Sequence, residues 1–224
     1  MYIDENKVVK YLGLMVDYKL TFIDHIELLK KKITKRIGAM YRCSSLLPVK
    51  QKKMFANALM LPNFDYLDII YSKACKSKLN ELDILYKKVA KIALGVPTSE
   101  TSLKVYTEMK WLPLHLRRQL HLSAYMYRII NDQSPSNFMN KFSYISGGSR
   151  DGNSCNLYTK KSKTLKDFFY LGAKCWNNLP QYLRCQGDVK ALSNCYKAKL
   201  LESINKDPNY SVDNSFHQFY ELYN

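Results

Sequence analysis

Five large apolar side chains, Ile26, Leu29, Ile33, Ile37 and Met40, recur at intervals of three or four residues through a segment dense in lysine. That spacing lines them along one face of an α-helix, while Lys31, Lys32, Lys35 and Arg36 fall largely away from it. A stripe of this kind must be buried against other elements, so it predicts a surface helix on a larger helical core. Thr21 offers an N-cap, with Asp24 three residues on in the capping-box position. Upstream, Val8–Val16 reads as one or both arms of a β-hairpin around Gly13.

Charge adds a second constraint. The chain has 35 Lys/Arg against 19 Asp/Glu, a net charge of +16 over 224 residues. An excess of this size favours polyanionic partners, nucleic acid first and an anionic membrane surface second, although a generic lysine-rich surface has the same total. Distribution is more informative. From Lys30 to Phe64 there are nine Lys/Arg and no Asp or Glu, the footprint of a phosphate-tracking surface. Hydrophobic residues make up 46%, which excludes general disorder. Only 8 glycines and 7 prolines favour helices over a many-turned β-sandwich. No apolar run is long enough to span a bilayer and no signal-peptide pattern opens the chain, so an intracellular, soluble protein is expected.

Helical segments continue along the rest of the chain. Pro48 suits the first turn of a helix through Met54, Phe55, Ala58 and Leu59 that ends before Pro62. A short helix is expected over Phe64–Tyr71, and a clear one through Leu79, Leu82, Leu85, Tyr86, Val89 and Ile92. Gly95 stands where a C-cap belongs and Pro97 prevents continuation. A weaker helix near Leu103–Met109 precedes a long one opened by Pro113 and ending near Asn131–Pro135. Residues 143–164 read as a mobile connector. Phe168–Trp176 and a segment capped by Asp188 read as the last helices, and the tail after Lys206 as loose. The expected fold is mainly α, helical bundles preceded by a short N-terminal hairpin.

The residues also carry a resemblance. "KYLGLMVDYKLTFIDHI" (Lys10–Ile26) resembles the end of the palm and start of the thumb in LINE-type, non-LTR, jockey-like retrotransposon reverse transcriptases. "SSLLPVKQKKMFANALMLPNFDYLDIIY" (Ser44–Tyr71), "LNELDILYKKVAKIALG" (Leu79–Gly95), "WLPLHLRRQLHLSAYMYRIIND" (Trp111–Asp132) and "FFYLGAKCWNNLP" (Phe168–Pro180) are similar to later family blocks in the same order. There are departures: the second block lacks the usual Trp-containing aromatic ending, and Tyr86 and Lys88 replace residues common in the third. The resemblance implies a primer-grip-like hairpin over 1–20, a thumb-like and following helical bundle over 21–142, the connector at 143–164, a C-terminal helical segment over 165–204 and the tail at 205–224. It also implies that the catalytic Tyr-x-Asp-Asp hairpin and the earlier metal-binding aspartate lie upstream of Met1.

Candidate chemistry within the chain is sparse. Nucleotidyl transfer needs carboxylates clustered around two divalent ions about 4 Å apart, and no Asp-Asp pair occurs. Asp65 and Asp68 can share a helix face, but their neighbours suggest ordinary amphipathic packing. His25, His115, His121 and His217 have no HxxxH spacing or triad-like context, and no G-x-x-x-x-G-K-[ST] phosphate loop exists. The cysteines lack closely spaced pairs; Cys175, Cys185 and Cys195 with His217 make a poor zinc set, so reduced, mostly buried thiols are expected. The expectation is therefore no catalytic residue, no metal site and no cofactor, Mg belonging to the missing palm.

What remains is binding. Leu12, Gly13 and Leu14 are the primer-grip candidates that the resemblance implies, glycine allowing close backbone approach to a sugar-phosphate; their plain alternative is a turn in an edge strand. Lys30, Lys31, Lys32, Lys35, Arg36, Lys50, Lys52 and Lys53 are the thumb-like phosphate contacts, against the alternative of a solvated helix face. Arg117 and Arg118 can extend that surface or pair within the bundle, and Trp111 and Trp176 read as core anchors. The expected function is a non-catalytic fragment of an RNA-directed DNA polymerase. Its partners would be RNA or an RNA–DNA duplex and the missing palm, with no membrane. The alternatives are a helical protein-interaction module and a transposon remnant without function.

Overall fold

The computed structural model describes residues 8–131, 140–144, 156–158 and 168–206. These are mainly helical after a two-stranded hairpin, as composition and periodicity predict. The expected tail, most of the connector, His217 and Cys155 lie outside the described residues. The chain divides into two compact units between Leu114 and His115.

The first unit opens with β1 (Val9–Tyr11) and β2 (Leu14–Val16), antiparallel with Tyr11 opposite Leu14. Leu12 (φ 46°) and Gly13 (φ 84°) form the two-residue turn. Positive φ at both positions matches the right-handed twist of the arms, and Gly13 takes it without steric cost.

Helix α1 (Ile23–Cys43) buries Ile26, Leu29, Ile33, Ile37 and Met40, the stripe read from the sequence, together with His25. Its start differs from the expectation. Phe22 is the N-cap, with φ 56° and no side-chain cap bond. Thr21 instead donates through its backbone N (3.0 Å) and Oγ1 (2.9 Å) to the carboxylate of Asp17, which also accepts from Phe22 N at 2.9 Å. Asp17 thus closes the entry loop and holds Leu20 and Phe22, both at positive φ, in a conformation that bulky residues avoid.

Pro48 caps α2 (Val49–Phe55). The helix does not stop before Pro62: it widens into a π-helical turn, Ala56–Met60, and resumes as α3 (Leu61–Asp65) with Pro62 in its first turn. Proline has no N–H and crowds the preceding turn, and the wider winding absorbs both defects. The carbonyl of Leu59 accepts from Asn63 Nδ2 at 2.7 Å and from the Arg36 guanidinium. The expected Phe64–Tyr71 helix is broken at Leu67 (φ 57°), so that α4 (Asp68–Tyr71) is separate.

Helix α5 (Lys76–Leu94) packs against α1, α2 and α6 (Ser102–Met109). It ends as predicted at Gly95 (φ 72°), whose N–H and that of Val96 both return to Lys91 O, at 2.9 and 3.1 Å. Tyr86 is the hub of the aromatic core. It stacks on Trp111 at 4.8 Å, meets Phe64 edge-on at 5.1 Å, and donates from its hydroxyl to Leu112 O at 2.9 Å. Trp111 is buried and donates to Asn57 Oδ1 at 2.8 Å, the anchor expected from the sequence.

The second unit contains α7 (Leu114–Ile130), α8 (Phe168–Asn177), α9 (Gln181–Arg184) and α10 (Val189–Lys206). Trp176, Leu171, Leu179, Leu183 and Leu192 are all buried. A Cβ on Gly172 would lie 2.5 Å from Met126 Sδ, so a larger residue there requires the Met126 side chain of α7 to shift. Two described pieces of the expected connector are paired. Tyr144 and Leu157 form an antiparallel bridge, and the Asn177 amide exchanges two 2.8 Å hydrogen bonds with the Leu157 backbone.

Candidate nucleic-acid interface

The lysine run on α1 splits by helix face. Lys31, Lys32 and Lys35 are exposed, and among the described residues they have no carboxylate partner. Lys30 turns toward α5 and joins Glu27, Lys78 and Glu81 in a four-membered ion-pair network. Glu27 receives Lys30 at 3.1 Å and Lys78 at 2.7 Å, Lys78 reaches Glu81 at 3.0 Å, and Lys30 also pairs with Glu81. One of the acids, Glu27, stands just before the acid-free run, and the other partner of Lys30, Glu81, arrives from 51 residues away. Hydrogen bonds from Lys78 and Lys30 hold the Glu27 carboxyl below its usual range, and Glu81 raises Lys30.

The remaining candidates also differ from one another. Arg36 donates to the opened Leu59 carbonyl and Lys53 to Glu108 O at 3.1 Å, while Lys50 is exposed. Lys52 is buried, at 8% exposure. Arg118 is buried in the second unit rather than displayed.

At the hairpin, Leu12 is 71% exposed but Leu14 is buried where β2 meets α1. The space above Gly13 is taken by Tyr66, whose Cε1 would lie 3.4 Å from an added Cβ and whose hydroxyl donates to Leu12 O at 2.6 Å. The missing side chain at Gly13 therefore admits a tyrosine from the α3–α4 link. Met15 N approaches His25 Nδ1 at 3.5 Å, and burial lowers the His25 pKa, which suits a neutral structural acceptor.

A further basic feature was not singled out by the sequence. A cavity of about 650 Å³ runs along the C-terminal half of α5, with Lys52, Lys87, Lys88 and Lys91 on its walls. Lys87, Lys88 and Lys91 succeed Ile84 at helical spacing, a signal present in the sequence but outside the acid-free run. As for the thiols, Cys43, Cys75 and Cys185 are exposed, against the expectation of mostly buried cysteines. Cys175 is buried and burial pushes its pKa up to about 11, leaving it an unreactive thiol. Asp65 closes α3 and Asp68 opens α4, so the two do not share one continuous helix.

Over 137 residues, 58% of its length, the chain is 24% identical to a Drosophila melanogaster protein described as a probable RNA-directed DNA polymerase from transposon X-element. The chain is distantly related to a transposon-encoded polymerase. It spans only 15% of that relative. No family model matches the chain, and no solved structure matches it. No helix among the described residues is long and apolar enough to cross a membrane.

Proposed function

We propose that this chain is the thumb and downstream part of a jockey-like, LINE-type reverse transcriptase, non-catalytic by itself, that holds primer–template or element RNA. The observation that carries this reading is the exposed row Lys31, Lys32 and Lys35 on α1, in a chain related to a transposon polymerase. The row covers about 6 Å of helix axis, close to two phosphate steps of about 3.4 Å along one strand. Ammonium groups at that pitch neutralise successive phosphates without reading bases. The metal ions that nucleotidyl transfer requires would be held by the palm.

Fluorescence anisotropy with an RNA–DNA duplex across a salt series tests this. Binding is expected at low salt and should fall steeply as salt rises. Charge reversal at Lys31, Lys32 and Lys35 together should flatten the log–log salt slope by about 0.9 for each phosphate no longer neutralised. Undetectable duplex binding at low salt would overturn the reading.

A second reading, a helical module that docks on another protein region such as the palm, is favoured by one observation. Tyr11, Leu12, Tyr18 and Leu20 are each more than half exposed around the hairpin, an apolar grouping of the kind that marks interaction surfaces. Salt-insensitive self-association on size exclusion, abolished by polar substitutions there, is the result expected of it.

A further inference from the structure

We propose that the groove along the C-terminal half of α5 is a second nucleic-acid site, one that takes a single-stranded segment with a base inside it and phosphates on its lysine rim. Its apolar lining comes from Ile84, Ile92, Val96 and Pro97, and Tyr41 at the end of α1 stands beside them. Tyr41 is 70% exposed, an aromatic face offered to solvent beside that apolar lining. Lys87, Lys88 and Lys91 line one edge of the helix, and no carboxylate lines the cavity.

Lys52 adds a cation held in a fixed place. Its residue is 8% exposed while its ammonium keeps contact with solvent, so the stem is packed and the charge reaches the groove. The group sits 3.3 Å from where a Cβ on Gly95 would stand, on the wall of the groove. An ammonium fixed on this wall, beside Lys87, Lys88 and Lys91, offers a bound phosphate a charge-assisted hydrogen bond.

The combination selects the ligand class. Lysines alone would suit any anion, and an apolar cavity alone would suit any hydrophobe. An apolar cavity with a tyrosine on its wall and several cations fits a nucleotide, whose base has a π-face and whose phosphates are charged. A cavity of about 650 Å³ lies in the usual range for small-ligand sites. A duplex keeps its bases stacked inside and must break pairing to offer one, so the groove selects single strands. The inference rests on the nucleic-acid reading of this chain but not on the α1 row.

The test is anisotropy of the full chain with a labelled 12-mer (dT)₁₂, the same strand made abasic, and the RNA–DNA duplex. Tyr41→Ala, Lys88→Glu and Lys52→Met are compared with the α1 charge-reversal variant; Tyr41 and Lys88 are exposed, so their variants should fold. The expected result is that each groove variant weakens single-strand binding about tenfold and leaves duplex binding unchanged. The abasic strand should bind more weakly than (dT)₁₂. Single-strand binding indifferent to all three variants overturns the groove, with duplex binding left to support the α1 row. Groove-dependent single-strand binding without any duplex binding supports the groove and overturns the row. Displacement by polyglutamate as effective as by unlabelled (dT)₁₂ overturns the base-in-groove assignment.

Discussion

The two halves of helix α5 use lysine in opposite ways. In the N-terminal half, Lys78 and Glu81 interlock with Glu27 and Lys30 of α1, so each ammonium has a carboxylate. In the C-terminal half, Lys87, Lys88 and Lys91 join Lys52 around a cavity that no acid lines. Where two helices are held together, the lysines meet carboxylates; around the cavity the lining offers them none. The same contrast divides Lys30 from Lys31, its neighbour in sequence.

The largest expected effect tests whether both halves depend on one core. Tyr86 lies midway along α5 at the centre of the aromatic cluster. Tyr86→Ala should cost about 3–5 kcal/mol by urea denaturation, with the ion-pair edge and the groove lost together. A cost below about 1 kcal/mol would mean that the halves are supported separately. A middle-sized effect is expected at Asp17, a balanced charge made with backbone N–H groups instead of an ammonium. Burial raises its carboxyl pKa, but the bonds from Thr21 and Phe22 outweigh this and hold it below the usual range. Its contribution is therefore complete above the ordinary aspartate range and fades as pH falls through the depressed value. Asp17→Asn should lose about 1 kcal/mol at neutral pH, and its stability curve should converge with that of the parent in acid.

The smallest effect is expected in the ion-pair network, because its members are partly solvated. Glu81→Gln should lower Tm slightly in dilute buffer and not at all near about 1 M salt. Glu27 and Glu81 have depressed pKa values, so their contribution fades as pH falls below the glutamate range. Lys30 and Lys78 are raised, so theirs fades as pH rises beyond the lysine range. A Tm difference that persists in high salt would break the distinction between a solvated clasp and a buried one.

The parts legible in the sequence were those set by local rules. The stripe from Ile26 to Met40, the glycine stop at Gly95 and the hairpin turn each come from periodicity or backbone sterics within a few residues. The fate of each lysine was less accessible. Lys30 is neutralised by Glu27 one turn back and by Glu81 on another helix, and the stem of Lys52 is packed where α2 meets α5. Counting charges in a contiguous run treats both as equivalent to Lys31. The helix across Pro62 was missed for a related reason: the rule that proline ends a helix assumes regular winding, and the π turn relaxes that assumption. Thr21 matched a capping pattern, but Asp17, outside the pattern's window, made the bonds.

The wide turn at Ala56–Met60 has a consequence for the lysines before it. Each residue of an α-helix rotates the chain by about 100° and advances it about 1.5 Å, so a π turn acts as a one-residue phase shift between α2 on one side and α3 on the other. Removing a single residue there would restore even winding and swing Lys52 and Lys53 around the axis relative to Phe64. The tight cap at Gly95 and the loose coil before Pro62 thus act on one side chain: together they decide which way the Lys52 ammonium points.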